Sequence, residues 1–128
     1  GKGSHRIFIP YFQLLIQISN EYIDGQGIFT FKNKITSIPE KAFFDCSKLD
    51  SIIIPESVTE IGNSVFTRCH YLKMVYCQST TPPTLGENAF SNISREAKIC
   101  VPKNSVALYK SANGWKDYAS KIVGCDFK

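Results

Sequence analysis

The sequence predicts an α/β repeat solenoid: a short right-handed coil with one short parallel strand per turn and a helical cap at its C-terminal end. Two observations lead to this prediction. Apolar residues recur at a fixed interval of 23 or 24 positions, and the repeat is followed by a stretch with helical periodicity. The 128 residues are 43% apolar and 20% charged, which is the composition of a folded domain, and they suffice for one core.

Five apolar columns define the repeat, and a sixth is interrupted by Pro82 and Pro83. A single turn is too small to bury its own apolar side chains, so turns stacked about 4.8 Å apart are expected to share one core. The columns are Phe29, Ile52, Val75 and Ile99; Phe31, Ile54, Cys77 and Val101; Ile38, Ile61 and Leu85; Phe43, Phe66 and Phe90; Cys46, Cys69 and Ile93; and the interrupted Ile35 and Val58.

The first two columns lie two residues apart in every turn, which indicates a short strand with both of these side chains inward. The side chain between them must face outward because the side-chain period of a strand is two. Pro55 and Pro102 are expected to end their strands, and residues 39–46 and 62–69 are expected to form turns or short helices on the opposite wall. The predicted outward column is Thr30, Ile53, Tyr76 and Cys100.

The pattern LxxIxIPxxVxxIGxxxFxxCxxL across residues 49–72 resembles the BspA-like, or Treponema pallidum-type, leucine-rich repeat family. The opening YIDGQGIFTF and the tail from VYCQSTTPPTLGENAFSN to YKSANGWKDYASKIVG are similar to the ends of surface proteins of gut and oral Bacteroidetes. The resemblance covers residues 22–127 and departs from the family pattern at Pro39, Cys100 and Cys125. It implies a secreted or surface-anchored adhesion module without enzymatic activity.

The chain divides into three segments in this interpretation. Residues 22–102 form the leucine-rich repeat solenoid, residues 103–128 form the C-terminal helical cap, and residues 1–21 form an N-terminal extension or cap strand. Residues 7–18 fit a terminal strand or hairpin, with a leader remnant or disorder as alternatives. Residues 1–5 are treated as added sequence, and the chain lacks an initiator Met, so we expect it to derive from a longer protein.

The cap is expected to begin with a helix that Asn104 or Ser105 caps and that Gly114 ends, followed by a second, irregular helix. Its apolar residues recur every three or four positions and include Trp115, the only tryptophan in the sequence. The members of this stripe are Val106, Tyr109, Ala112, Trp115, Tyr118 and Ile122. We therefore expect this stripe to cover the last turn of the coil rather than to bind a partner.

The sequence offers no catalytic, cofactor-binding or metal-binding constellation. Its five cysteines form no C-x-x-C pair, and its two histidines have no companion at ligand spacing. Cys46 and Cys69 are predicted to be reduced core thiols, although stacking leaves a disulfide between them open, and Cys100 with Cys125 is an alternative pair. Cys69 and His70 are adjacent, so their side chains are expected to diverge and not to form a Cys–His nucleophile.

The charge pattern excludes further function classes. The 15 Lys and Arg residues give a net charge of +4 and are never more than two together, whereas a nucleic-acid footprint needs them gathered on one face. No stretch reaches the roughly 20 apolar residues of a membrane-spanning helix.

The leading hypothesis is a non-enzymatic binding module on the outer surface of a bacterium or secreted from it, with a host or cell-surface protein or glycan as its partner. The alternative is a structural spacer or terminal cap of a larger repeat protein whose ligand contacts lie elsewhere. Solenoids present the outward side of their strands as an extended binding face. The candidate residues on that face are Thr30, Asp50, Ser51, Ile53, Lys73, Met74, Tyr76, Lys98 and Cys100.

Overall fold

Successive turns of the chain pair with one another along two parallel sheets. A computed structural model describes residues 28–31 and 34–127; the expectations for residues 1–21 lie outside the described residues. The strands are β1 (Ile28–Phe29), β2 (Ser37–Ile38), β3 (Ser51–Ile54), β4 (Glu60–Ile61), β5 (Met74–Cys77), β6 (Thr84–Leu85), β7 (Lys98–Pro102) and β8 (Ile122–Cys125), and the α-helix is α1 (Val106–Ser111).

Sheet A contains the four predicted strands and β8, in the order β1-β3-β5-β7-β8, and every neighbouring pair is parallel. Its register places Ile52 opposite Val75, and Val75 opposite Ile99, which confirms the first apolar column. Ile54 lies opposite Cys77 in the second column. The prolines behave as expected, since Pro55 follows β3 directly and Pro102 is the last residue of β7.

Sheet B is a second set of strands, in the order β2-β4-β6. The prediction of one strand per turn was therefore wrong in number. The third apolar column gave the correct register, with Ile38 opposite Ile61 and Ile61 opposite Leu85. These strands are only two residues long, so they contain no alternation from which a strand could be recognised.

A third stretch of each turn also bonds to the next turn, although it is not a strand. Residues 39–46 form turns, and alternate backbone N–H groups there donate onward: Phe43 N to Val65 O at 3.0 Å and Asp45 N to Thr67 O at 2.8 Å. Phe66 N repeats the pattern with Ala89 O at 2.8 Å. The corners of this stretch have positive φ at matching positions in the three turns: Lys41, Ser64 and Asn88, and then Asp45, Arg68 and Asn92.

The phenylalanine column forms the centre of the shared core. Phe43, Phe66 and Phe90 are each at most 1% exposed. Neighbouring rings are nearly parallel, with centroids 5.5 Å and 5.2 Å apart and interplanar angles of 12° and 5°. These separations are close to the spacing of hydrogen-bonded strands, about 4.8 Å. The rise of the coil therefore sets the stacking of the rings, and the predicted column is confirmed.

The cap covers the last turn, but its structure differs from the prediction in two ways. Ser105 is at the N-cap position of α1 without making a capping hydrogen bond; its Oγ donates instead to Thr80 O at 2.8 Å. Ile122, which was placed on the helical stripe, begins β8 and lies opposite Ile99 in sheet A. The expected irregular helix is present as the 3₁₀ segment Trp115–Lys121, which follows Gly114 at φ 83°.

Side chains of the cap replace the backbone of a further turn. Phe90 N donates to Tyr118 Oη at 3.3 Å, whereas the equivalent N–H groups of Phe43 and Phe66 donate to carbonyls of the next turn. Trp115 Nε1 donates to Pro83 O at 2.7 Å, and Tyr109 Oη donates to Ser79 O at 2.6 Å. The cap thus satisfies polar groups at the end of the coil as well as covering its apolar core.

We expect Phe66→Ala to lower the free energy of unfolding by about 3–5 kcal/mol, because it removes a buried ring from the middle of the stack. Chemical denaturation followed by circular dichroism measures this loss. Phe44→Ala is the control, since Phe44 is 39% exposed. Equal losses in the two variants would contradict the stacked core.

We expect Tyr109→Phe to lower the free energy of unfolding by about 1 kcal/mol, because it leaves the part-buried carbonyl of Ser79 without this donor. Tyr71→Phe removes the same hydroxyl from a side chain that is 63% exposed and should be neutral. If both substitutions are neutral in thermal denaturation, the hydroxyl of Tyr109 does not hold the cap in place.

Candidate functional site

The candidate site is the outward face of sheet A, and the register defines its rows. Ser51, Met74 and Lys98 lie side by side on β3, β5 and β7. In the next outward row Ile53 lies opposite Tyr76. All of these side chains reach the surface: Lys98 is exposed and the other four are half-buried.

The remaining candidate residues border these rows. Thr30 is half-buried and directly follows β1. Asp50 precedes β3, and Lys73 precedes β5, with Lys73 N donating to Asp50 O at 2.8 Å. The structure thus places six of the nine candidate residues on the accessible side of sheet A, with Asp50 and Lys73 directly before its strands.

The ninth residue, Cys100, does not belong to the accessible face. It lies opposite Tyr76 as predicted, but it is only 4% exposed and forms a disulfide with Cys125 of β8. The sequence prediction of an accessible Cys100 was wrong because β8, which was taken for part of a helical cap, lies beside β7. The disulfide crosses the two strands with a Cα–Cα distance of 5.6 Å.

Two groups of surface residues were not among the candidates predicted from the sequence. Lys121 precedes β8, one residue before the Ile99–Ile122 pair, and so continues the row of Ser51, Met74 and Lys98. The ring centroid of Phe44, on the turn stretch, lies 5.6 Å from Lys41 Nζ and 6.0 Å from the guanidinium carbon of Arg68. The signal for Lys121 was present, since a lysine also precedes or begins β5 and β7, but its use required recognising β8.

The three free cysteines are poorly suited to nucleophilic chemistry. Burial raises the pKa of the Cys69 thiol from 9.0 to about 12, and its Sγ donates to Phe43 O at 2.9 Å. Burial also raises the pKa of Cys77 to about 11, and it raises the pKa of the half-buried Cys46. The prediction that Cys46 and Cys69 are reduced is confirmed, and at neutral pH these groups are protonated thiols.

Residues 28–31 and 34–127 contain neither a metal-binding cluster nor a helix able to span a membrane. That part of the chain contains no group of three or more His, Cys, Asp or Glu side chains arranged to hold a metal ion. In the same ranges, no helix has the length and apolar character needed to cross a bilayer.

The repeat register, the two sheets and the stacked core agree with comparison to known families. Residues 25–113 match the BspA type leucine rich repeat region, in six copies. The chain belongs to this family. Comparison with curated proteins gives no match. The BspA-type match confirms the family resemblance and the leucine-rich repeat solenoid.

Membership of the BspA-type family bears directly on the sheet A face. Leucine-rich repeat solenoids are in general binding scaffolds without enzymatic activity, and solenoids present extended surfaces along their stacked repeats. The face therefore has the position expected of a protein-interaction surface.

We expect replacement of both Cys100 and Cys125 by Ser to lower the free energy of unfolding by about 3 kcal/mol, because the disulfide closes a loop of some 25 residues in the unfolded chain. Denaturant titrations of the two proteins measure the difference. Treating the wild type with a dithiol reductant should reproduce the effect and should leave the double variant unchanged. A reductant that destabilises both proteins equally would contradict a stabilising role for this disulfide.

Proposed function

We propose that this BspA-type solenoid is a non-enzymatic adhesion module that binds a protein through the face of sheet A. The observation that carries the proposal is the half-buried cluster of Ile53, Met74 and Tyr76 on adjacent strands. Large apolar and aromatic groups of this kind are enriched at protein interfaces. Their positions are fixed by the backbone register, so they form a contiguous surface rather than separate exposed residues.

The rigidity of the face supports binding without turnover. Sheets A and B and the turn stretch each bond one turn to the next, and the Cys100–Cys125 disulfide ties the last strand to its neighbour. A face that is already ordered loses little conformational entropy when a partner docks. Binding by shape complementarity is therefore the mechanism that this surface supports.

The disulfide also supports a location outside the cytoplasm. Structural disulfides persist in oxidising compartments such as the cell surface and the extracellular medium, and Cys100 with Cys125 forms one. We propose that the module acts on the outer surface of a bacterium or after secretion from it, with a protein of a host or of another cell as its partner.

Replacing Tyr76 or Ile53 with Asp tests the proposal. We expect each substitution to weaken binding at least about tenfold, since central aromatic and apolar contacts typically contribute 1.4 kcal/mol or more. Surface plasmon resonance against a panel of immobilised host matrix proteins and cell-surface glycoproteins measures the affinity. Leu108→Asp on α1 is the matched control because Leu108 is 52% exposed and lies outside sheet A.

The outcomes separate adhesion from other roles. If a panel protein binds the Tyr76→Asp and Ile53→Asp variants as tightly as the wild type, the binding site for that protein lies elsewhere on the solenoid. Selective binding on a glycan array without binding to any protein would show that the partner is a glycan.

A second function is favoured by one specific observation. Backbone polar groups of the last turn form hydrogen bonds with the side chains of Tyr118, Trp115 and Tyr109. This is the arrangement needed to terminate a solenoid. Under this alternative the chain serves as a terminal cap or spacer of a larger repeat protein. Intact, folded protein that binds no member of the protein panel or the glycan array would favour it.

A further inference from the structure

The fold gathers positive charge that is dispersed in the sequence. Lys73 directly precedes β5, Lys98 begins β7, and Lys121 directly precedes β8. These three strands are consecutive neighbours in sheet A. The lysines therefore form a row across the amino ends of the strands, here called the basic edge, and Arg95 belongs to the loop that leads into β7.

Contacts of the backbone and of one lysine confirm this proximity. Lys98 N donates to Lys73 O at 2.9 Å, so Lys73 lies on the adjacent turn, one residue before the level of Lys98. Lys121 Nζ donates to Ser94 O at 3.5 Å and to Arg95 O at 3.4 Å. Its ammonium group is thereby held beside the loop that carries Arg95.

The positive charge of the basic edge is not neutralised within the described part of the chain. The ion pairs there are Arg68 with Asp45 and Lys103 with Asp126, and none of them involves the basic edge. Two carboxylates adjoin the basic edge in the sequence of the turns: Glu96 is two residues before Lys98, and Asp50 is at the position equivalent to Lys73 one turn earlier. Four cationic groups against two carboxylates leave an excess of positive charge.

The opposite charge collects at sheet B. Glu60 lies on β4 itself, and Glu40 and Glu87 follow the short strands β2 and β6. All three side chains are exposed and form no ion pair with a described residue. Lys41, which is also exposed, directly follows Glu40, so this side of the coil has a small excess of negative charge where the basic edge has an excess of positive charge.

We propose that the basic edge binds an acidic segment of the protein partner, which lays its carboxylates along Lys73, Lys98 and Lys121 and its apolar side chains on Met74 and Tyr76. This inference rests on the proposed function of the sheet A face and names the chemistry of its partner. Three neighbouring strands span about 10 Å at a spacing of about 4.8 Å, which matches three or four residues of an extended peptide.

Continuity with the apolar cluster favours a protein over other polyanions. Lys98 is directly opposite Met74, and Met74 is followed two residues later by Tyr76 on the same strand. A ligand on the basic edge therefore meets apolar side chains within one row. A peptide with carboxylates beside apolar residues complements both parts, whereas a sulfated glycan carries no apolar side chain that could pack on Met74.

A charge-reversal experiment tests the proposal on the intact chain. The probe is a fluorescein-labelled decapeptide in which Glu residues alternate with Leu, and fluorescence anisotropy measures its affinity. We expect Lys73→Glu with Lys98→Glu to weaken binding at least about fivefold, and we expect the wild-type affinity to fall steeply with added salt because exposed charges are screened. Lys110→Glu with Lys116→Glu, on the exposed surface of the cap, changes the net charge equally and should alter the affinity less than twofold.

Each outcome has a defined meaning. Equal loss in the two double variants would overturn the proposal, because attraction would then follow net charge alone. Tighter binding of a heparin oligosaccharide or of oligo-dT than of the decapeptide, lost in the Lys73→Glu/Lys98→Glu variant, would also overturn it. Self-association of the wild type in sedimentation, abolished by the same variant, would assign the edge to a second copy of the chain and overturn it as well.

The result is separable from the test of the sheet A face. If Tyr76→Asp abolishes binding to a panel protein while the Lys73→Glu/Lys98→Glu variant binds it normally, the face is the site and the basic edge has no part in it. If both variants lose that partner and the control retains it, the acidic segment and the apolar contact act together.

Discussion

The fixed register between successive turns is the constraint on which the rest of the structure depends. Each turn must lie at a fixed distance from its neighbouring turn, because backbone N–H groups of one turn donate to backbone carbonyls of the other. Sheet A, sheet B and the turn stretch all meet this requirement at once. Side chains at matching positions are then forced into contact, which explains why Phe43, Phe66 and Phe90 stack at nearly the spacing of the strands.

The close approach of the turns also determines where side chains are excluded. A Cβ at Gly62 would lie 2.7 Å from Glu40 N, so the backbone itself fills the space where a side chain would go. In contrast, the corners at Asn88 and Asn92 accept non-glycine residues despite positive φ, and asparagine tolerates this region better than most residues. The repeat is therefore maintained by backbone geometry as much as by apolar burial.

An open coil would leave apolar side chains and polar backbone groups uncovered at its end, and the C-terminal cap satisfies both. Trp115 and Tyr109 are fully buried against the last turn, yet each also gives its polar hydrogen to a carbonyl of the loop before β6. Strand β8 extends sheet A by one strand beyond β7, and the Cys100–Cys125 disulfide links these two strands. This end of the protein is thus closed by side-chain donors, one strand and one covalent bond.

The same register creates the surfaces proposed for binding. Tyr76 and Ile53 are 23 positions apart in the chain and adjacent in space, and the lysines at the amino ends of successive strands are brought together in the same way. Neither surface requires a special loop or a cofactor. Both follow from repeating a turn whose outward residues differ while its inward residues are kept.

The repeat of 23 or 24 positions was readable from the sequence, and it identifies which residues of successive turns are neighbours in the core. The inward columns follow from it, and the direction of the outward residues follows from the two-residue period of a strand. Periodicity could not reveal sheet B, whose strands are two residues long, or β8, whose Ile122 also fitted a helical stripe. Only the tertiary structure decided that β8 joins sheet A, which buries Cys100 in a disulfide and brings Lys121 beside the loop of Arg95. Ile122 is 23 positions after Ile99, which is the spacing of the repeat, but the helical periodicity of the cap concealed this signal.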